Sequence, residues 1–258
     1  KTRILNILVL GMMAGSFIAM GAQSSSLAVH NISNIGLART LAGCIFPVGL
    51  MMIVFVGGEL FTGDCMMSMA WMQRKIHFAD MLRTLVLVYV SNFVGAALIA
   101  FLVAHSGQYD YSSGALGAYT IKVAYGKVHL SFANALVSGI LCNILVCVAV
   151  LMAAAAKDIA GKVLAIFFPI LAFVVSGFEH CVANMYYIPA GIFASKNAAY
   201  AAKAFELYNI DSTQLSSLNW GSFAISNLIP VTIGNIIGGA LLVGGACFYL
   251  HGKALHES

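Results

Sequence analysis

Six long apolar runs dominate this sequence and limit the folds that it can adopt. They lie near residues 4–22, 40–56, 84–104, 132–156, 163–177 and 223–250. The composition is 61% hydrophobic and 9% charged, whereas about a quarter of the residues of a soluble domain are charged. A soluble fold of 258 residues has too little interior to bury so much apolar surface. The sequence therefore predicts an all-α integral membrane protein, with residues 1–258 in a single transmembrane domain.

Two of the six runs are short and interrupted. A helix needs about 20 apolar residues to cross the bilayer core, and the second and fifth runs fall below that length. The second run stops at GGELFTGD (57–64) and resumes as CMMSMAWM (65–72), and the fifth stops at SGFEH (176–180) and resumes as NMYYIPAGIF (184–193). Short segments interrupted by glycine and an acid are typical of the discontinuous helices of channels and transporters. We therefore expect broken second and fifth helices.

The two halves of the chain, about 1–105 and 128–251, resemble one another. Three pairs of residues fall at matched places in the two halves: Glu59 and Glu179, Asp64 and Asn184, and Asn92 and Asn235. Each half has three spans, an odd number, so the second copy must be inverted in the membrane. A 3+3 inverted repeat brings its broken helices together near the midplane. We therefore expect the two interruptions to meet on one pathway.

The basic residues predict the orientation, because cytoplasmic loops carry an excess of Lys and Arg. The cytoplasmic set would be Lys1, Arg3, Arg74, Lys75, Arg83, Lys157, Lys162 and Lys253, and the outer set Arg39, Lys122, Lys127, Lys196 and Lys203. We therefore expect a multi-pass protein of the cell (inner) membrane with both termini cytoplasmic. The first run exceeds the roughly 7–15 apolar residues of a signal peptide, so we interpret it as a spanning helix. A short cytoplasmic segment is expected to precede it.

Charge and cysteine content argue against several partners. The net charge of +4 is small and scattered, so it does not indicate a nucleic-acid partner. The six cysteines lie mostly inside apolar runs, with no zinc or CxxC spacing. We interpret them as packing residues and expect neither a metal site nor a cofactor.

Polar side chains at the two breaks are the candidate functional residues. Unwinding a helix in lipid exposes backbone groups that cost several kcal/mol each unless they are satisfied. We interpret Glu59 and Glu179 as acceptors for the freed N–H groups of the opposite repeat, because a carboxylate in the pore would repel an anion. His180 is either a satisfied core residue or a donor to substrate, with one N–H when neutral and two when charged. The Thr62 hydroxyl either donates to an anion or caps the half-helix that restarts near Gly63.

Three stretches resemble the signatures of the formate/nitrite transporter family, which includes a hydrosulfide channel. They are GGELFTGD (57–64), GILCNILVCVAV (139–150) and SGFEHCVANMYYIPAG (176–191). The resemblance extends over all six spans. It implies an aquaporin-like fold in a homopentamer, with a separate anion pore in each protomer.

The resemblance also implies roles for individual residues. The implied substrate-pore residues are His180, Thr62, Asn143 and Lys127. The implied constriction and gate residues are Phe46, Leu50, Leu60, Phe61 and Phe173. Glu59, Glu179 and Asn184 are expected to be structural, at the helix breaks. The residues alone leave other interpretations open, because Asn143 could bond between helices, Lys127 could be an interfacial anchor, and the apolar residues could be core or lipid-facing.

The expected function is passage of a small monovalent anion (formate, nitrite or hydrosulfide) through a His-Thr site between hydrophobic constrictions. The expected partners are that anion, the lipid bilayer and other copies of the chain. One alternative is a proton-coupled carrier of short monocarboxylates such as acetate or lactate. A more remote alternative is a membrane redox enzyme, but a haem or metal centre needs further ligands converging on one site. His180 has no second mid-span histidine beside it. We therefore expect that the protein is not an enzyme.

Overall fold

The computed structural model describes residues 4–252, and within that range the chain is helical without a β-strand. The first half contains α1 (Ile4–Val29), α2 (Ile35–Ile45), α3 (Val48–Val56), α4 (Phe61–Asp64), α5 (Met67–Met72) and α6 (Phe78–Ala104). The second half contains α7 (Ala115–Val128), α8 (Phe132–Ala155), α9 (Ile159–Ser176), α10 (Cys181–Ser195), α11 (Ala198–Tyr208), α12 (Ser212–Ser216) and α13 (Trp220–Leu250). Lys1, Arg3 and Lys253, which entered the orientation argument, lie outside the described residues.

Among the residues that the structure describes, six helical stretches are long and apolar enough to cross a membrane, as the expected all-α membrane fold requires. One expected length is wrong, because the second stretch runs without a long loop from Ile35 to Val56 and has 22 residues. Its first turns add residues 35–39, including the charged Arg39, which the apolar run excluded. The Asn34 side chain accepts a hydrogen bond from the N–H of Leu37 at 2.9 Å and starts the helix there.

Small residues let helices α1 and α6 pack with their backbones in close contact. A Cβ atom on Gly15 would lie 2.0 Å from the carbonyl oxygen of Asn92, and one on Gly95 would lie 2.0 Å from that of Met12. Neither position has room for a side chain. Such small-residue interfaces are typical of membrane helices, where van der Waals packing drives association.

The second half repeats this arrangement between α8 and α13. A Cβ atom on Gly234 would lie 2.2 Å from the carbonyl oxygen of Leu136, and one on Gly238 would lie 2.3 Å from that of Ile140. The corresponding helix pair in each half is therefore held together at glycines. In both halves an asparagine beside the glycine contact, Asn92 or Asn235, is fully buried.

Candidate functional site

Both helix breaks begin at a glycine with positive φ. Helix α3 ends at Gly57, where φ is 101°, and helix α9 ends at Gly177, where φ is 71°. Side-chain-bearing residues rarely adopt this conformation, and glycine adopts it without strain. The chain then continues through segments 57–60 and 177–180 before α4 and α10 begin. The interruptions therefore lie where the sequence predicts them.

Two matched asparagines satisfy the backbone groups that the breaks expose. The Asn92 side chain accepts a hydrogen bond from the N–H of Phe61 at 3.0 Å and donates to the carbonyl of Glu59 at 2.9 Å. In the other half, the Asn235 side chain accepts from the N–H of Cys181 at 2.9 Å and donates to the carbonyl of Glu179 at 3.1 Å. Each asparagine therefore connects the two sides of a break.

These contacts correct the interpretation of the two glutamates as acceptors for freed N–H groups. An asparagine performs that task better, because its amide both accepts and donates within one side chain and carries no charge into the membrane. The Glu59 N–H donates to the carbonyl of Leu10 at 3.3 Å, and its own carbonyl is held by Asn92. From the sequence, Asn92 and Asn235 are recognisable only as matched positions in the two halves.

The Glu179 carboxylate accepts its hydrogen bonds from three side chains. Lys127 donates at 2.8 Å, Asn184 at 2.6 Å and Asn227 at 3.3 Å. The side chains of Lys127 and Glu179 are 16% and 7% exposed, so this ion pair is largely shielded from water. Lys127 is therefore paired with Glu179 and is not an isolated interfacial anchor.

His180 and Thr62 meet across the two breaks. The Nε2 atom of His180 lies 2.9 Å from the Thr62 hydroxyl oxygen, and both residues are buried. The Nδ1 atom of His180 accepts a hydrogen bond from the N–H of Ala183 at 3.0 Å. Accepting that bond requires a lone pair on Nδ1, so we assign the ring proton to Nε2. The Thr62 oxygen then accepts from Nε2–H and keeps its own hydrogen free to donate.

Of the two interpretations left open for Thr62, capping does not apply. Helix α4 begins at Phe61, so Thr62 lies inside the helix, and the N-terminal position at Leu60 has no side-chain cap. His180 instead caps α10 through Nδ1. The imidazole therefore has one structural nitrogen and one nitrogen that faces Thr62.

Asn143 supports this pair from helix α8. Its amide nitrogen donates to the carbonyl of Thr62 at 3.1 Å and to that of Asn235 at 2.6 Å. Its oxygen lies 3.7 Å from the Cys147 sulfur. Asn143 therefore fixes the backbone of Thr62 and links α8 to α4 and α13. This agrees with the interpretation that Asn143 bonds between helices.

A vestibule of about 680 Å³ leads from the protein surface to His180. Its charged lining contains three basic residues, Arg39, Lys122 and Lys127, and one acidic residue, Glu179. Burial raises the pKa of the nearby Tyr208 phenol above its ordinary value, so that phenol adds no negative charge at neutral pH. The vestibule therefore carries excess positive charge, which attracts anions.

Apolar side chains line the vestibule beside His180. The rings of Phe46 and Phe173 meet edge to face with centroids 5.4 Å apart, and the Phe173 ring centroid lies 6.1 Å from that of His180. Leu50 and Leu60 are buried, with 2% and 4% exposure. The Phe61 ring packs edge to face on Tyr89 at 4.8 Å, which favours packing over a constriction role.

The comparisons with known proteins identify the family. The model of the formate/nitrite transporter family matches residues 1–249. The chain belongs to the formate/nitrite transporter family. It is 38% identical to a probable formate transporter of Methanothermobacter thermautotrophicus, over 96% of this chain and 89% of that protein. It is 40% identical to the formate channel FocA of Haemophilus influenzae, over 81% of this chain and 73% of that protein.

Solved structures of this family share the fold. A pentameric formate channel with formate bound superposes with a TM-score of 0.84 at 31% identity, covering 96% of this chain and 97% of that one. An FNT family ion channel gives a TM-score of 0.80 at 26% identity, covering 95% and 90%. The protein is therefore a multi-pass membrane protein of the formate/nitrite type. Because its relatives are channels and transporters, the expectation that it is not an enzyme is confirmed.

Three residues that shape this site had no role assigned to them from the sequence. They are Asn92 and Asn235, which span the breaks, and Asn227, which donates to Glu179 and to the backbone carbonyl of Lys127 at 2.9 Å. All three are buried asparagines in membrane helices, where an unpaired amide is unfavourable. That property alone would have marked them for attention.

Proposed function

We propose that each protomer passes a small monovalent anion (formate, nitrite or hydrosulfide) through a pore whose central site is His180 and Thr62. The observation that carries this proposal is the positively lined vestibule, which ends at a buried pair of hydrogen-bond donors behind a phenylalanine pair. The structural neighbour described as a pentameric formate channel with formate bound supports the same class of substrate.

The geometry suits an anion because a dehydrated anion needs donors to replace the water that it sheds. Nε2–H of His180 and the hydroxyl of Thr62 can both point at an anion that enters between them. Neither group carries charge in this arrangement, so the site binds the anion without trapping it as a fixed cation would. The direct contact of 2.9 Å between the two must open for the anion to pass.

We also propose a homopentamer in the inner membrane, with both termini cytoplasmic and the two halves related as an inverted repeat. Only 28% to 39% of the most apolar window of each span is buried within one protomer. The remaining apolar surface needs lipid or other copies of the chain. The matched contacts of Asn92 and Asn235 support the repeat, and the neighbour described as pentameric supports the assembly.

Parallel flux measurements test the proposed substrate class. Purified protein in liposomes should carry formate, nitrite or hydrosulfide faster than protein-free liposomes and faster than it carries a small cation. Equal rates with and without protein for all three anions would contradict the proposal. Comparison with lactate and acetate under an imposed proton gradient separates the channel from the proton-coupled carrier.

Trimming Leu60 should widen the constriction beside Thr62. We expect Leu60→Ala to raise formate flux and to admit lactate, because removing a buried apolar group lets water remain where it was excluded. Discrimination by size should weaken before discrimination by charge, since the vestibule cations are unchanged. Liposome flux of formate, lactate and a small cation measures this. The control is Leu82→Ala, at a leucine of α6 that is 49% exposed. If Leu60→Ala passes no more anion than the parent, or leaks cations equally, Leu60 is a packing residue.

A further inference from the structure

The first helix break carries a pair of acids that the proposed pore does not use. The carboxyl groups of Glu59 and Asp64 lie within hydrogen-bonding reach of one another. Both residues are partly buried. The Oδ2 atom of Asp64 is fully enclosed and receives no hydrogen bond from the described part of the chain. A carboxylate oxygen left without a donor inside a membrane protein is unfavourable.

The second break shows what a stabilised glutamate looks like in this fold. There the Glu179 carboxylate accepts hydrogen bonds from the Lys127 ammonium group and from the amide of Asn184. At the matched position of the first break the amide is replaced by the carboxyl of Asp64. The ion pairs found among residues 4–252 are Lys127–Glu179 and Lys203–Glu206. Neither acid of the first break therefore has a cationic partner in that range.

The titratable groups around the acid pair do not compensate its charge. Helix α4 packs against α6, α8 and α10. Five titratable side chains of these helices and of the residue after α4 face α4. They are Tyr89, Cys147, His180, Cys181 and Cys65. Phenol and thiols are neutral here, and His180 uses Nδ1 as an acceptor. Helix α1, whose Leu10 holds the Glu59 backbone, has no titratable residue between Ile4 and Val29.

We propose that Glu59 and Asp64 share one proton, and that this acid–carboxylate pair is a proton-binding site on the side of Thr62 opposite the vestibule. Two carboxyl groups in contact in apolar surroundings cannot both ionise. A single proton supplies the missing donor between them and removes the repulsion. Leu10, near which the pair lies, is in the N-terminal half of α1, whereas the vestibule is lined by residues near the C-terminal end of that helix, such as His30.

The shared proton links the two ends of the segment that carries Leu60 and Thr62. When water takes the proton, two like charges remain side by side, and they separate. Separation shifts the segment that carries Leu60 and Thr62, and it moves Thr62 away from its place opposite His180. Anion flux should therefore fall as the pH rises through the titration of the pair. This consequence rests on the proposed function of the pore, but the proton site itself does not.

Infrared spectroscopy tests the proton without requiring transport. The purified parent protein should show the C=O stretch of a protonated carboxylic acid at neutral pH, with a shift in deuterated buffer. Asp64→Asn and Glu59→Gln should each lose this band. Asp158→Asn, at the exposed cap of α9, should keep it. Absence of the band in the parent, or its survival in Asp64→Asn, would overturn the proposal. Asp64→Asn decides alone if Glu59→Gln does not fold, because the matched Asn184 shows that an amide is compatible with this position in the fold.

Flux measurements then test the gating step. At pH values where most copies of the pair have lost the proton, the protonated fraction falls about tenfold per pH unit. Parent flux should fall by the same factor relative to flux through Asp64→Asn. Substrate protonation is the same for both proteins, so the ratio of their rates isolates the pair. A ratio that stays constant from acid to alkaline pH, in a protein that shows the infrared band, would overturn the gating step. Absence of flux in the parent would instead contradict the proposed function and leave the infrared result valid.

Discussion

Replacing His180 with phenylalanine should reduce saturable uptake of formate, nitrite and hydrosulfide by about a hundredfold or more. A hydrogen bond to a charged group contributes about 1.5–3 kcal/mol, and each 1.4 kcal/mol changes a rate about tenfold. The phenyl ring removes the Nε2–H donor and fills the space that the anion must enter, so the loss should reach the upper end of that range. Initial rates of uptake into liposomes measure it.

The matched controls separate the loss of the donor from loss of fold. His180 also caps helix α10 through Nδ1, and the phenylalanine variant leaves the N–H of Ala183 without that partner. His180→Asn can keep a cap at this position while its shorter side chain withdraws from Thr62. It should match the thermal stability of the parent and still lose flux. His105→Phe, at an exposed histidine at the end of α6, should change neither. Parent-like rates in the stable His180 variants would exclude the central role.

The membrane architecture could be predicted from the sequence because apolar length alone determines it. Each of the six predicted runs coincides with one of the six long helical stretches, and two of the runs, 132–156 and 163–177, extend one residue past the helix end. Their ends were less predictable, since α2 begins at Ile35 behind the Asn34 cap and includes the charged Arg39, which the apolar run excluded. The breaks were predictable because glycine marks them. Gly57 and Gly177 adopt the positive φ that ends a helix in a way other residues resist.

The partners of the polar residues could not be predicted, because they come from helices distant in sequence. The motif around His180 shows that a break exists, but not that Asn235 from the sixth span satisfies it. Charge misled the interpretation as well. A glutamate beside a break looks like an acceptor for backbone N–H groups, yet Glu179 is bound by Lys127 from a helix outside the predicted spans. The contact of Thr62 with His180 came from the family resemblance, and the structure adds the tautomer that the contact requires.

The ion pair between Lys127 and Glu179 gives the second large expected effect, which is on stability. Removing one partner of a buried pair leaves an uncompensated charge and costs about 3–5 kcal/mol. We therefore expect Glu179→Gln to lower the free energy of unfolding by that order. The glutamine still accepts from Asn184, so the loss reports mainly the unpaired Lys127. Thermal unfolding in detergent, read together with the oligomer fraction, measures it.

Two further variants make this test specific. The double variant Lys127→Met with Glu179→Gln removes both charges, and it should recover most of the lost stability, because neutral groups at this site carry no unpaired charge. Glu206→Gln breaks the ion pair between Lys203 and Glu206. The side chain of Lys203 is 27% exposed and that of Glu206 is 61% exposed. Exposed pairs contribute about 0–1 kcal/mol, so this variant should unfold with the parent. If Glu179→Gln also unfolds at the same temperature as the parent, or the double variant is less stable than Glu179→Gln, the pair does not stabilise the break. Stability recovered without recovery of anion flux would show that Lys127 also acts on the anion, since the same lysine lines the vestibule that leads to His180.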